Sequence, residues 1–227
     1  MKRIREIDIM RTFAMLLMVT YHILYDLNNF AGLEISYYTP PLSIIGKLSA
    51  LIFIFLSGVS SGLGSKPFRR GIVVSSYGML VTLITFMLFK DRFVVFGILH
   101  LLGVCMMLSY PLKKAPSWVL ILLIIVSAAA GWYFKKLTVQ TWILLPIGIT
   151  YKGFASVDYY PLFPYISVFM VGVIYYRIFY KGRKSIFNLK PKNDIIERLS
   201  KNSLIIYLLH QPIILGIIYA VAFIIRQ

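Results

Sequence analysis

Apolar residues run in stretches of about twenty along most of this chain, separated by short polar segments. A membrane-crossing helix needs about 20 mostly apolar residues. By that measure spans fall at roughly 8–28, 42–63, 71–89, 93–112, 117–134, 162–180 and 203–225. The stretch Thr141–Ile149 (TWILLPIGI) is apolar but too short to cross, and Pro146 interrupts it. It reads as a re-entrant or interfacial segment buried against the other helices. The pattern predicts an all-α polytopic bundle of about seven spans, forming one domain over 1–227.

The first span departs from this simple picture. Between Ile7 and Asn28 it carries Asp8, Arg11, His22 and Asp26. At about 100° per residue, Arg11 and His22 return to nearly the same azimuth, with Asp8 and Asp26 each about 60° away and Met15 and Met18 between. The helix therefore has one polar stripe on an otherwise apolar surface. An unpaired charge at mid-membrane costs several kcal/mol, so the stripe must face protein or a water-filled cavity. It reads as the wall of a functional site.

Composition supports the membrane reading. The 227 residues are 59% hydrophobic and 14% charged, with mean hydropathy +0.80, outside the range of soluble domains. The net charge of +16 does not imply nucleic acid, because Lys and Arg sit mainly in short loops where they orient helices and meet anionic lipid. With the N-terminus cytoplasmic, sixteen of the 24 basic residues fall in inside loops and six outside. That bias predicts a multi-pass plasma-membrane protein whose first span is retained rather than cleaved. Tyr37 and Tyr38 read as an interfacial belt in the outside loop Asn29–Pro41, between the first two spans. Pro191 and Asn193–Asp194 precede IIERLSKNS, which suits a short amphipathic surface helix. Cys105 lies in an apolar run and reads as packing.

His22 and Asp26 stand four positions apart, so the carboxylate is expected to accept the imidazole N–H and leave the other ring nitrogen as a general base. Arg11 suits an anion at the cytoplasmic end, or a pair with Asp8. His100 and His210 each stand alone in a span, where interhelical hydrogen bonds are the ordinary reading. Gln211 follows His210, and Pro212 removes the donor that Leu208 would otherwise receive. Histidines at these positions lack metal-site spacing, and few carboxylates are at hand, so no metal is expected. Asp158 and Tyr159 open the sixth span and suit either an acceptor group or a solvated loop. The small residues of FIFLSGVSSGLG permit close helix contact.

Several stretches together resemble a known family. IREIDIMRTFAMLLMVTYHILYDLN, FLSGVSSGLG, FGILHLLGV, DYYPLFPYISVFMVGV and YLLHQPIIL are similar, in order, to the bacterial relatives of the heparan-alpha-glucosaminide N-acetyltransferase catalytic domain. The Arg11–His22 spacing also resembles the first helix of acyltransferase-3 proteins, from which this chain departs in having Thr12 after the arginine. The resemblance implies acyl transfer from cytoplasmic acyl-CoA, chiefly acetyl-CoA, to an extracytoplasmic glycan or amino-sugar acceptor. His22 would be base or transient acyl carrier, with Asp26 beside it. Arg11, Asp8, His100, His210 and Gln211 would lie on the acyl-CoA side, and Asp158 and Tyr159 on the acceptor side. Lys66, Arg69, Arg70 and Arg177 are available to the CoA phosphates. Membrane lipid is the surrounding partner, nucleic acid is not one, and association as a homodimer is left open. A small proton-coupled transporter is the alternative, since stripes of His, Asp and Arg also serve proton relays. A structural subunit without chemistry is a third reading.

Overall fold

The computed structural model describes residues 3–34, 36, 39–182, 184–190 and 194–225. Lys2, Tyr37, Tyr38, Arg183, Pro191, Lys192, Asn193 and Arg226 lie outside the described residues. The helices are α1 (Arg5–Phe30), α2 (Leu42–Leu63), α3 (Pro67–Leu88), α4 (Ile98–Lys114), α5 (Ser117–Phe134), α6 (Leu162–Tyr175), α7 (Ile195–Lys201) and α8 (Ser203–Ile225). The only strands among the described residues are the two-residue β1 (Thr138–Val139) and β2 (Thr150–Tyr151), paired in parallel. The protein is an all-α polytopic membrane bundle.

Six helices are long and apolar enough to cross a bilayer among the described residues, with α6 extended by a π-helical turn to Tyr180. The fourth predicted span starts five residues later than expected. Phe93–Gly97 gives its backbone groups elsewhere: the Val94 N–H reaches Thr85 Oγ1, and the Phe96 carbonyl accepts from Tyr160 N–H. What remains is α4, with 17 residues, about 25 Å long at 1.5 Å per residue. Thr141–Ile149 does not form a crossing helix. It holds a single 3-10 turn, Leu145–Ile147, closed by Gly148 at φ +109°, a left-handed value that glycine adopts without a Cβ penalty.

The contacts divide the chain into two compact bodies. The first comprises residues 1–53 and 184–227, built on α1, the opening half of α2, α7 and α8. In it, Ser49 donates to the Ala14 carbonyl at 2.9 Å, and Thr12 donates to the Ile196 carbonyl at 3.2 Å. The expected surface helix is α7. Asp194 caps it, accepting from Glu197 N–H at 3.1 Å, which satisfies one of the donors a helix start leaves free. The Arg5 guanidinium grips the same carboxylate with both terminal nitrogens. That contact holds the Asp194 carboxyl down at about 2.

The second body, residues 54–183, packs α3 on α4 and α5 on α6. Cys105 is fully buried there, as packing requires. The small residues of α2 do bring backbones together, because a Cβ on Gly58 would lie 2.1 Å from the Phe169 carbonyl oxygen. A Cβ on Gly172 would lie 2.2 Å from that of Phe55. Neither oxygen can move without its helix. Gly172→Leu is therefore expected to cost at least about 1–3 kcal/mol, the ordinary range for overpacking. A thermal melt in detergent checks it, and an unchanged midpoint would contradict the close crossing.

Arg177, on the π turn after α6, does not present its charge to a ligand. Its Nη2 donates to the carbonyls of Leu112, Lys113 and Ala115 at 2.7–2.8 Å, and its Nη1 to Ser117 Oγ at 3.3 Å. Pro116 has no N–H for the Leu112 carbonyl, so the guanidinium takes the place of the missing donors. The expectation that Arg177 is free for CoA phosphates is corrected accordingly.

Candidate functional site

The site lies in the first body, along the inward side of α1. Asp8, Met15, Met18 and Asp26 are buried, and Arg11 and His22 are half-buried between them. Ile9, Met10, Phe13, Leu16 and Ile23 are exposed on the other side. The 3.6-residue period that placed the polar stripe thus also decides its direction: toward protein, with the apolar side left for lipid.

At the start of α1, polar groups are closely shared. Arg3 pairs with Asp8, whose Oδ1 also accepts from Ser200 Oγ at 2.6 Å. Ser200 in turn accepts from Arg11 Nη1 at 3.3 Å. The serine hydroxyl therefore stands between the carboxylate and the guanidinium. Arg11 and Asp8 are linked through that hydroxyl. Glu6, also buried, accepts from Ser185 Oγ at 2.9 Å and Ile186 N–H at 2.6 Å, pinning the incoming basic loop to α1. Ser200, Glu6, Arg3 and Arg5 were not among the sequence candidates. The amphipathic run containing Ser200 pointed to a surface helix, and nothing in its spacing revealed which face would meet α1.

About three turns beyond Arg11 lies a second cluster. The His22 and His210 ring centroids are 4.7 Å apart. Asp26, fully buried, accepts from Gln211 Nε2 at 3.2 Å. The expected His22–Asp26 hydrogen bond is not formed: Asp26 is turned to α8, and His22 faces the second imidazole. Four buried polar atoms here have no hydrogen-bond partner among the described residues: His22 Nδ1, His210 Nε2, Asp26 Oδ2 and Gln211 Oε1. A buried polar atom without a partner costs about 1–3 kcal/mol. Four on two adjacent helices mark a place built for water, a proton or a ligand.

The remaining candidates belong to the second body. His100 packs on α3: its Nε2 is 3.5 Å from Thr82 Oγ1, Phe96 stacks on its ring, and a Cβ on Gly78 would lie 3.0 Å from it. Tyr159 donates to the Leu145 carbonyl at 2.6 Å, and burial raises its hydroxyl to about 12. Asp158 Oδ2 accepts from Ile98 N–H at 3.0 Å and so caps α4, whose own N-cap, Gly97, has no side chain to offer. An open cavity of about 620 Å³ is lined by Phe68, Met107 and Tyr110 together with Lys66 and Arg69, two of the cations expected to be available to the CoA phosphates. Among the described residues no three His, Cys, Asp or Glu side chains group to hold a metal.

Asp158 supports a direct test of its role. Burial pushes its carboxyl up to about 6, against the Ile98 hydrogen bond, which lowers it. Between about pH 4 and 6 the folded protein keeps a proton that the unfolded chain has lost, so this residue's contribution falls as pH rises through that window. Asp158→Asn keeps an acceptor for Ile98 N–H and removes the charge. It is expected to leave stability equal or higher at pH 7, while Asp158→Ala loses roughly 1 kcal/mol with the cap. Thermal melts at pH 5 and 7 read both. An Asn variant that melts as low as the Ala variant would overturn the capping role.

The family model described as heparan-alpha-glucosaminide N-acetyltransferase, catalytic, matches residues 3–212. The chain belongs to that family. No curated protein and no solved structure matches it. That family is one of membrane acetyltransferases, and the match runs from Arg3, which holds Asp8, to Pro212, beside Gln211.

Proposed function

We propose that the protein moves an acetyl group from acetyl-CoA, presented at the basic cytoplasmic face of the plasma membrane, to a hydroxyl or amine of an extracytoplasmic glycan. The chain acts as one acyltransferase domain with its N-terminus inside. His22 is the base or acyl carrier and Asp26 its neighbour in the site. Arg11, steadied through Ser200 and Asp8, meets the anionic donor, since a guanidinium offers bidentate contacts to phosphate. His210 and Gln211 complete the wall from α8. Asp158 and Tyr159 serve structure in this reading, because their hydrogen bonds go to Ile98 N–H and the Leu145 carbonyl. His100, packed on α3 with Nδ1 lacking a hydrogen-bond partner among the described residues, stands outside the His22 cluster.

The observation that carries the proposal is the cluster of four unpartnered buried polar atoms around His22, about three turns from a half-buried arginine on the same side of α1. The test is transfer of label from radioactive acetyl-CoA to a β-glucosaminide by the purified protein in liposomes. Labelled product supports the reading, and its absence across amino-sugar and hydroxyl acceptors removes it. The same cluster also suits a proton relay. Acceptor flux across the liposome membrane without acetyl-CoA would favour the transporter instead.

A further inference from the structure

His210 differs from His22 in one respect that decides its chemistry. Its Nδ1 lies within hydrogen-bond distance of the Tyr207 carbonyl, one turn back on α8. A carbonyl oxygen only accepts, so Nδ1 must carry the proton and donate. In the neutral ring the lone pair is then on Nε2. That atom is buried and has no hydrogen-bond partner among the described residues. The helix backbone thus fixes one tautomer, leaving a bare lone pair beside His22. No comparable bond orients His22, whose Nδ1 is itself without a partner. Next in sequence, Gln211 is held the same way: its Nε2 is given to Asp26, which leaves Oε1 open.

From this we infer that the two imidazoles divide the work. His22 receives the acetyl group: its ring nitrogen bonds to the thioester carbonyl carbon, and the C–S bond breaks with the electron pair on sulfur. The His22 ring proton leaves with the CoA thiolate as the free thiol. His210 Nε2 is then the base that takes the proton from the acceptor. The inference rests on the reading above. In the transfer step the acceptor nitrogen or oxygen bonds to the acetyl carbonyl carbon as its proton passes to His210 Nε2. The bond from that carbon to the His22 ring nitrogen breaks, with the electron pair staying on His22. The His210 imidazolium then returns its proton to His22, across rings whose centroids are 4.7 Å apart. Both imidazoles end neutral, and the acetyl group has exchanged one nitrogen for the acceptor atom.

Two half-reactions separate the roles. Purified protein is mixed with radioactive acetyl-CoA alone, and CoA release and label on the protein are followed. A β-glucosaminide is then added and product measured. His22→Ala is expected to lose both stages. His210→Ala and His210→Gln are expected to keep the first burst and lose transfer to the sugar by at least roughly a hundredfold, the usual contribution of a positioned base. Transfer at the wild-type rate in both His210 variants would overturn the inference, as would wild-type transfer with no label ever held on the protein.

A tautomer measurement needs no activity. In protein labelled with 15N-histidine, the His210 signals (identified by their loss in His210→Gln) should report a proton on Nδ1 and none on Nε2. A proton on Nε2 overturns the assignment even if the alanine variant does not fold. Wild-type protein that transfers nothing, yet shows the Nδ1–H tautomer, would remove the acetyltransferase reading and the proton-acceptor role together, whereas a wild-type enzyme indifferent to His210 removes the latter only.

Discussion

His22→Ala is expected to abolish acetyl transfer, lowering kcat by roughly 10²–10⁴-fold while leaving the protein folded. The side chain is half-buried, its Nδ1 bonds to nothing among the described residues, and its ring centroid lies 4.7 Å from that of His210. Its removal therefore breaks no hydrogen bond at that nitrogen, and the melting temperature should shift by only a few degrees. Most purely structural buried residues behave in the opposite way, losing stability first. His22→Gln offers an amide in a similar volume but cannot take up or release a proton near neutral pH, so it should be as inactive as alanine. Label transfer and a thermal melt on the same preparations read the two effects. A His22→Ala protein that transfers at more than about a tenth of the wild-type rate would end the catalytic assignment. One that fails to fold, with His22→Gln folded and active, would make the residue structural.

The helices were legible because spanning length and hydropathy are properties of a single stretch, and the direction of the α1 stripe was legible because a buried charge leaves only one side open to it. The partners were not. Asp26 was expected to serve His22 four residues away, yet it meets Gln211, 185 residues on. A local spacing shows which contact is within reach and cannot show which competitor the fold brings nearer. Asp158 suits an acceptor group or a solvated loop by its place in the sequence. Its hydrogen bond to Ile98 N–H is not legible there, because it depends on a helix that starts 60 residues earlier after Gly97, which has no side chain to offer. The short start of α4 follows from pairing of Phe93–Gly97 with Ser156–Tyr160, which hydropathy does not register. Charge counting does not register what an arginine side chain binds. It treated loop cations as topology signals or phosphate ligands, whereas Arg5 and Arg177 are consumed by a helix start and a helix end.

Arg177→Met is the substitution expected to cost most in stability. Methionine keeps much of the side-chain length and apolar stem but offers no donor. Three carbonyls at the end of α4 lose their charged partner at once, and the Leu112 carbonyl has no alternative because Pro116 cannot donate. Hydrogen bonds to a charged group contribute about 1.5–3 kcal/mol each. Partial exposure lets water replace some of them, so a net loss of about 2–4 kcal/mol is expected. Arg177→Lys should fall between the two, because an ammonium is a single point of charge and cannot span three acceptors as the planar fork does. The order wild type, Lys, Met in melting temperature is the signature of a shared cap; equal losses in Lys and Met would mean that only the fork geometry matters. If Met melted with the wild type, the α4–α5 turn would be held by its prolines alone. Acetyl-CoA protection adds a further discriminator. A guanidinium engaged in capping predicts that saturating acetyl-CoA raises the melting point of Arg177→Met by the same increment as the wild type. A phosphate ligand predicts that this increment disappears.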